Sequence, residues 1–310
     1  MILVVPIFLL LATSCARAPQ KMDPYAYAKE IEQWRAKRLT DLTSDDGWLT
    51  LVGLFWLKEG ENKFGSDVAN DVVLPPGKVA PHAGSFSLHN GVVKLEALPA
   101  SGITADGKPA TSLELKSDAD GSPTVLHIGS VSLQVIKRGE KLGVRAKDKN
   151  NPDRTKFRGI DSYPADLKWR INATFEPYNP PKPMQIMNVL GMASGEISPG
   201  AIVFTVDGQT YRLDALTEPD EPRYFMIIVD KTTGKETYGA GRYLYVDPAD
   251  ASGHVVIDFN KAYSPPCAFT NFATCPLPPE QNRLPFAIEA GEKYSGHPRK
   301  DTNQAAPVVN

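Results

Sequence analysis

A proline-rich stretch near the C-terminus, residues 256–294, constrains the fold of this 310-residue chain more than any other feature. It reads VIDFNKAYSPPCAFTNFATCPLPPEQNRLPFAIEAGEKY and combines several prolines with many aromatic and aliphatic side chains. Proline is excluded from helix interiors and central strands, and so much apolar surface does not stay in water. We therefore expect an ordered, irregular segment packed on a β scaffold, and we call residues 256–294 the strap.

The first residues of the chain predict export. Their apolar run, residues 2–11, is shorter than the roughly 20 residues that cross a bilayer, and it is typical of a signal peptide at 1–14. The sequence ATSC that ends at Cys15 resembles a bacterial lipobox, so Cys15 is the predicted lipidation site and residues 15–22 a lipid-anchored linker. Ala16 favours the outer membrane, facing the periplasm, with the membrane as a partner. The alternative is an ordinary signal peptide with an incidental cysteine.

Composition and motifs exclude several classes of protein. The net charge is −2 and no basic run occurs, so nucleic acid is not an expected partner. The usual nucleophile, nucleotide and zinc-protease signatures are missing from the sequence, and the histidines are scattered singly. The sequence therefore predicts neither a metal site nor a cofactor.

The remaining cysteines form an even pair within the strap. Exported proteins use such pairs as disulfides, so a Cys267–Cys275 bridge is predicted. Closing so short a loop would contribute about 2.6 kcal/mol through the entropy of the unfolded chain. In the alternative, Cys267 is a free nucleophile with a low pKa.

One amphipathic helix is predicted over residues 23–43. Asp23 is placed to cap the first amides, and Pro24 suits the first turn. Apolar residues then recur at helical spacing, and we expect the helix to dock through Ile31, Trp34 and Leu42.

The sequence predicts that residues 48–147 form an antiparallel β-sandwich. Asn90-Gly91 separates two strand-like runs, which is a strong hairpin signal, and Asp106-Gly107 and Asp120-Gly121 repeat it. The apolar run that begins at Trp48 predicts a buried strand or one arm of a hairpin.

Part of this sandwich resembles a forkhead-associated (FHA) domain. The matching residues are Gly65, Asn70, Asp71, Leu74, Pro75 and His82. Ser66 stands where the family has its phosphate-binding arginine, which removes bidentate phosphate capture. The resemblance implies the fold, whereas for His82 we expect a structural role in packing the loop.

A charged junction at residues 148–168 is predicted to be a solvated connection, although Arg145, Arg158 and Tyr163 could instead face a cleft between the halves. A second antiparallel β domain, a meander or small barrel with the strap, is predicted over 169–294. It includes a proline-rich bend at 177–183 and hairpin turns at Asp207-Gly208 and Thr233-Gly234. Residues 295–310 are predicted to be a disordered tail.

Four segments of the chain resemble the bacterial family known as domain of unknown function 1684. They are DGWLTLVGLFWLKEGENKFGSD, FRGIDSYP, DKTTGKETYGAGRYL and the strap from DFNKAYSPPCAF to AGEKY. Ser264 departs from the pattern, which usually has Asn there. The resemblance implies family membership and no particular activity.

Polar residues around the strap form the predicted ligand-binding site. Its members are Arg242, Asp258, Asn260, Asn282, Arg283 and Glu289. They would hold a small polar or anionic ligand, because arginine forks grip such groups. In the structural alternative, Arg242 and Asp258 form a buried pair, and the two asparagines bind proline-rich backbone that has few donors of its own.

Two main hypotheses of function follow, with a metal-dependent site as a minor third. The first is a β-rich envelope lipoprotein that binds a small polar or anionic ligand or an envelope protein. The second is a hydrolase-type enzyme with its site in the region of Arg242, Asp258 and Cys267, in which Asp258 or Cys267 acts alongside Arg242.

Overall fold

A computed structural model describes residues 22–294 and Gly296. The chain is mainly β, with one long helix, a two-sheet sandwich and a second antiparallel β domain. The predicted signal peptide, Cys15, most of the linker and nearly all of the tail lie outside the described residues. Within those residues, no helix is long and apolar enough to cross a membrane.

The helix α1 spans Pro24–Thr43, as predicted. The Asp23 carboxylate accepts hydrogen bonds from the amides of Tyr25 and Ala26, both at 3.2 Å, which satisfies two of the free donors at the helix start. Ile31 and Leu42 are fully buried, as expected. Trp34 is half-buried, and Tyr27, which the sequence analysis did not single out, is also buried.

The predicted sandwich is confirmed. A six-stranded sheet has the order β1-β11-β10-β9-β6-β7, a five-stranded sheet has the order β3-β2-β4-β5-β8, and one apolar core joins them. The strands are β1 Leu51–Trp56, β2 Gly60–Gly65, β3 Val72–Val73, β4 Gly84–His89, β5 Val92–Ala97, β6 Thr104–Ala105, β7 Lys108–Pro109, β8 Ser112–Leu115, β9 Val125–Ile128, β10 Val131–Arg138 and β11 Lys141–Asp148. All pairs are antiparallel except β2 with β3.

The two-residue turns form where Asn or Asp precedes Gly between paired strands. Both central residues have positive φ in each of them: Asn90 50° and Gly91 80°, Asp106 50° and Gly107 74°, Asp207 49° and Gly208 77°. The predicted hairpin at Asp120-Gly121 is wrong, because Asp120 ends a short 3₁₀ helix and its carboxylate binds the Ser117 amide.

The second β domain has seven strands in two sheets, ordered β14-β13-β12-β18 and β15-β16-β17, with a shared core. They are β12 Arg170–Met187, β13 Ala193–Val206, β14 Gln209–Asp214, β15 Leu216–Glu218, β16 Glu221–Ile228, β17 Arg242–Val246 and β18 His254–Asp258. The sheets do not join through hydrogen bonds, so this meander is half of a barrel and not a closed one.

Two local predictions in this domain are wrong. The prolines at 177–183 do not end a strand: β12 runs through them, and the pairing register shifts between Pro177 and Lys182, where missing amide donors are tolerated. Thr233-Gly234 does not close a hairpin, because β16 pairs with β17 and the Asp230 carboxylate folds the loop between them by binding Thr232.

The junction is more ordered than predicted. It contains the short helix α2, Pro152–Thr155, and the buried side chain of Asn151 donates to the carbonyl oxygens of Leu49 at 2.8 Å and Leu51 at 3.1 Å. These bonds attach the junction to the start of the sandwich.

The strap folds back on the second β domain, as predicted. Single β-bridges fix it at four places, which pair Val229 with Arg283, Tyr243 with Tyr263, Asn188 with Pro276 and Ser162 with Glu292. The strap therefore touches β17, the tip of the β12–β13 ribbon and the junction.

Candidate functional site

Arg242, at the start of β17, lies in the core of the second domain with no solvent exposure. Its guanidinium donates to the Asp230 carboxylate at 2.8 Å, to the Ile288 carbonyl at 3.0 Å and to the Ala290 carbonyl. The predicted pairing with Asp258 is therefore wrong, because Asp230 supplies the counter-charge. Arg242 holds the end of the strap against β17.

Asp258 instead joins α1 to the second domain. The Tyr27 hydroxyl donates to Asp258 Oδ1 at 2.7 Å, and burial together with this bond raises the pKa of Tyr27. Asp258 Oδ2 has no hydrogen bond among the described residues and lies 4.0 Å from Lys261 Nζ.

The two asparagines of the predicted site support backbone. Asn260 accepts from the amide of Asp166 and donates to its carbonyl, both at 2.9 Å, and Asn282 binds the amide and carbonyl of Asp214 at 2.7 and 2.9 Å. Both asparagines are fully buried and support backbone, but their partners lie in the junction and at the end of β14, not in the proline-rich strap that the structural alternative expected.

Arg283 and Glu289 are exposed and do not share a cavity with Asp258. Arg283 lines a cavity beside the β16–β17 loop, whereas Asp258 lines a cleft between the two halves. The structure therefore does not gather the six predicted residues into one site.

The strap cysteines lie next to each other in the structure and are not joined by a disulfide. The Cys267 amide donates to the Cys275 sulfur at 3.1 Å, and the hydrogen bond between the side chains, together with burial, raises the pKa of Cys275. The disulfide is not formed here and stays a prediction. Arg242, Asp258 and Cys267, the residues of the hydrolase hypothesis, have different bonding partners.

The larger cavity, which we call the interdomain cleft, has a volume of about 1090 Å³. It is lined by α1, the β10–β11 turn, the tip of the β12–β13 ribbon, the three-stranded sheet and the strap, together with Trp48, Ala119 and Arg170. Arg138 crosses its edge from the sandwich, donating to Asp118 at 2.8 Å and to Thr274 of the strap at 2.9 Å. The cleft therefore exists only when both β domains are in place.

An aromatic cluster lines the interdomain cleft. Phe225 contacts Tyr243 edge-on, with ring centroids 4.9 Å apart, and Tyr245, at 5.2 Å. Tyr263 of the strap lies 5.8 Å from Tyr243 and 6.3 Å from Tyr245. Burial is the main cause that raises the pKa of all three tyrosines, so their hydroxyls stay neutral donors at pH 7.

Guanidinium groups lie over these rings. Arg38 is 4.7 Å from the centroid of Tyr263, and Arg223 is 4.5 Å from that of Tyr245. Arg38 also pairs with the buried Glu292 carboxylate at 3.0 Å, so part of this charge is neutralised. Arg170, which also lines the cleft, has no side-chain hydrogen bond or ion pair within the described chain.

Arg145, on β11, lies behind the Trp48 wall of the cleft. Its guanidinium carbon is 5.3 Å from the centroid of the Trp48 ring, and the side chain is 4% exposed. Its Nε and Nη2 have no acceptor among the described residues. Desolvation, and then the neighbouring charge of Arg138, lower the pKa of Arg145 to about 10.

From the sequence, Arg145 is predicted to lie beside a possible cleft, whereas the aromatic residues are not predicted. They come from distant segments and have no common motif, so no local signal could have found them. Arg145, Arg158 and Tyr163 are not lining residues of either cavity, and Arg145 is next to the cleft only through its contact with Trp48.

The other sequence-derived candidates are structural. His82 lies 3.3 Å from the Asn70 side chain, which agrees with a loop-packing role. In the described part of the chain, no three His, Cys, Asp or Glu residues are grouped as metal ligands.

Comparison with known proteins gives one family and several solved structures. No curated protein matches the chain. An uncharacterized protein of Haloarcula marismortui, solved by NMR, is 32% identical over 45% of this chain and 78% of its own, with a TM-score of 0.39. An FHA domain from a study of phosphothreonine-dependent interactions is 21% identical over 31% of this chain and 95% of its own, with a TM-score of 0.22.

The family model described as "Protein of unknown function (DUF1684)" matches residues 155–293, which include the end of α2, the second β domain and almost all of the strap. Residues 155–293, a little less than half of the chain, are therefore similar to the DUF1684 family.

Proposed function

We propose that this protein binds a small organic anion with a flat apolar face in the interdomain cleft, and that binding rather than catalysis is its role. The observation that carries the proposal is the buried Arg145 guanidinium behind the cleft wall, whose Nε and Nη2 have no acceptor in the part of the chain that the structure describes. Buried polar groups in native proteins are nearly always paired, and an unpaired buried charge is costly. A bound anion in the cleft would supply the missing negative charge.

The lining of the cleft supports the same class of ligand. The aromatic cluster offers apolar faces, and Arg170 offers a charged donor that the described chain leaves unpaired. Ligand sites commonly combine a mostly apolar lining with a few polar groups, and they are frequent at domain interfaces. Arg145 would act through the local electric field, because the low-dielectric walls transmit it into the cleft.

Phenyl phosphate and benzyl alcohol form a matched pair of probes, since both carry an aromatic ring but only the first is an anion. We expect calorimetry on the full chain to show binding of phenyl phosphate that weakens about tenfold in Arg170→Gln and in Arg145→Met. The affinity for benzyl alcohol should not change. Phenyl phosphate that fails to bind, or that binds both variants as tightly as the wild type, would overturn the proposal.

Arg158→Gln is the control for this experiment. Arg158 is exposed, lines neither cavity and lies within residues 155–293, the range that matches the family model. Its replacement should leave the affinity for both probes unchanged. An equal loss in this variant would mean that net charge, and not the cleft, determines binding.

We further propose that the chain is anchored to the outer membrane through Cys15 and faces the periplasm. The support is the apolar run at 2–11 followed by ATSC. In a bacterial host labelled with an alkyne fatty acid, the wild-type protein should carry the label and be found in the membrane fraction. The Cys15→Ser variant should carry no label and should not be found in the membrane fraction. A labelled Cys15→Ser variant would contradict the assignment.

A further inference from the structure

We propose a second ligand site, for a small phosphate-bearing organic molecule, in the cavity between the β16–β17 loop and the strap. This loop cavity has a volume of about 840 Å³. Residues of the loop from Val229 to Ala240 line one side, and Leu277, Pro278, Arg283 and Tyr294 line the other. It is distinct from the interdomain cleft, with which it shares no lining residue.

The charges of the loop cavity favour an anion. Its charged lining residues are Asp230, Lys235 and Arg283. Asp230 is already neutralised by Arg242 behind it, at 2.8 Å. Lys235 and Arg283 have no side-chain hydrogen bond or ion pair among the residues that the structure describes. Two uncompensated positive charges therefore face one cavity.

Backbone donors add a second, independent observation. The consecutive amides of Tyr238, Gly239 and Ala240 have no hydrogen-bond acceptor within the described part of the chain, and all three residues line the cavity. The Gly241 amide donates to the Tyr238 carbonyl at 3.1 Å, which closes the turn and fixes these residues. Successive free amides in a turn form an anion-binding concavity.

The sequence folds this loop through Asp230. Its Oδ1 accepts from the amide and the hydroxyl of Thr232, at 2.8 and 2.6 Å, and from the Ile288 amide at 3.2 Å. The Thr232 carbonyl in turn accepts from the Lys235 amide at 3.0 Å. Arg283 is held beside the loop because the neighbouring Leu284 amide donates to the Val229 carbonyl at 2.7 Å. The cations are therefore carried on backbone that is fixed before any ligand arrives.

The rest of the cavity fits an organic group. Tyr238 and Tyr294 pack edge to face with ring centroids 4.9 Å apart, and Leu277 and Pro278 extend the apolar wall. A volume of about 840 Å³ lies within the roughly 300–1,000 Å³ range of ligand pockets and exceeds what an inorganic ion needs. The phosphate would sit on the amides and the two cations, with the organic part against the tyrosines.

Glycerol 3-phosphate, inorganic phosphate and acetate, titrated separately into the full chain, test this site. We expect the amide resonances of Tyr238, Gly239 and Ala240 to shift when glycerol 3-phosphate is added. The affinity for glycerol 3-phosphate should fall about tenfold in Arg283→Gln and in Lys235→Gln. Arg283→Lys keeps the charge and should retain part of the affinity. Weaker shifts with inorganic phosphate support an organic ligand.

If inorganic phosphate binds more tightly than glycerol 3-phosphate, the ligand is not organic and that part of the proposal is overturned. If acetate binds as tightly as either phosphate compound, the site does not select phosphate and that part of the proposal is overturned. Unshifted amide resonances, or full affinity in a folded Arg283→Gln Lys235→Gln double variant, would overturn the site itself. The cleft variant Arg170→Gln and the exposed control Arg158→Gln should bind glycerol 3-phosphate normally. The test of the loop cavity is therefore independent of whether the interdomain cleft binds a ligand.

Discussion

Two buried arginines, one in each β domain, have opposite surroundings. Arg242 of the second domain is fully buried and donates to one carboxylate and two carbonyls. Arg145 of the sandwich is 4% exposed and has no acceptor for its Nε or Nη2 among the described residues. The two side chains carry the same charge at almost the same burial.

This difference separates a structural arginine from a functional candidate. The protein itself provides the counter-charge of Arg242, so the pair closes the strap over β17, and only Nε of this guanidinium lacks a partner among the described residues. Arg145 is backed by the aromatic face of Trp48 and lies near a second cation, Arg138. An arrangement that costs stability without a ligand is expected where function requires it.

The largest expected effect comes from Arg242→Met. The replacement leaves Asp230 buried without its cation, so we expect the free energy of unfolding to fall by about 3–5 kcal/mol in urea denaturation at pH 7. Arg158→Met, at an exposed position, should change it by less than about 0.5 kcal/mol. If Arg242→Met lost under about 1 kcal/mol, the two arginines would not differ in the proposed way.

The opposite sign is expected for Arg145→Met. Methionine keeps much of the volume and removes an unpaired charge, so the free energy of unfolding should rise by about 1–2 kcal/mol, after allowing for the lost contact with Trp48. The same urea denaturation measures it. A loss of stability would show that Arg145 is satisfied in the unliganded protein, and the comparison would fail.

A smaller effect is expected in the pH dependence of the stability difference between Arg145→Met and the wild type. Burial lowers the pKa of Arg145 to about 10 in the folded protein, below its value in the unfolded chain, so above pH 10 the folded state holds fewer protons than the unfolded state. The cost of burying the charge is therefore complete below pH 10 and declines as the pH rises above it.

We accordingly expect the stability advantage of Arg145→Met over the wild type to shrink by about 1 kcal/mol between pH 8 and pH 11. Taking the difference between the two proteins cancels the titration of the buried tyrosines, which both contain. An advantage that stays constant over this range would mean that Arg145 does not carry the cost.

Local sequence signals predicted much of the fold. The Asp23 cap, the Asn90-Gly91 turn and the Asp207-Gly208 turn act over a few residues, and each has the predicted structure. Predictions failed where a competing contact replaced the expected one. The pairing of β12 with β13 carries a strand through its prolines. The carboxylates of Asp230 and Asp120 bind Thr232 and Ser117, close by in sequence, and so fold two loops that the turn signals predict as hairpins.

For the candidate sites, the order of residues along the chain already indicates which polar side chains accompany the strap and that the strap packs on a sheet. The folded structure was needed to show that Asp230 and not Asp258 neutralises Arg242, and that Arg283 and Asp258 line different cavities. Charge pairing and burial depend on distances in space. Tyr27 and Asp258, which share a hydrogen bond, are 231 residues apart, and no pattern along the chain encodes such a contact.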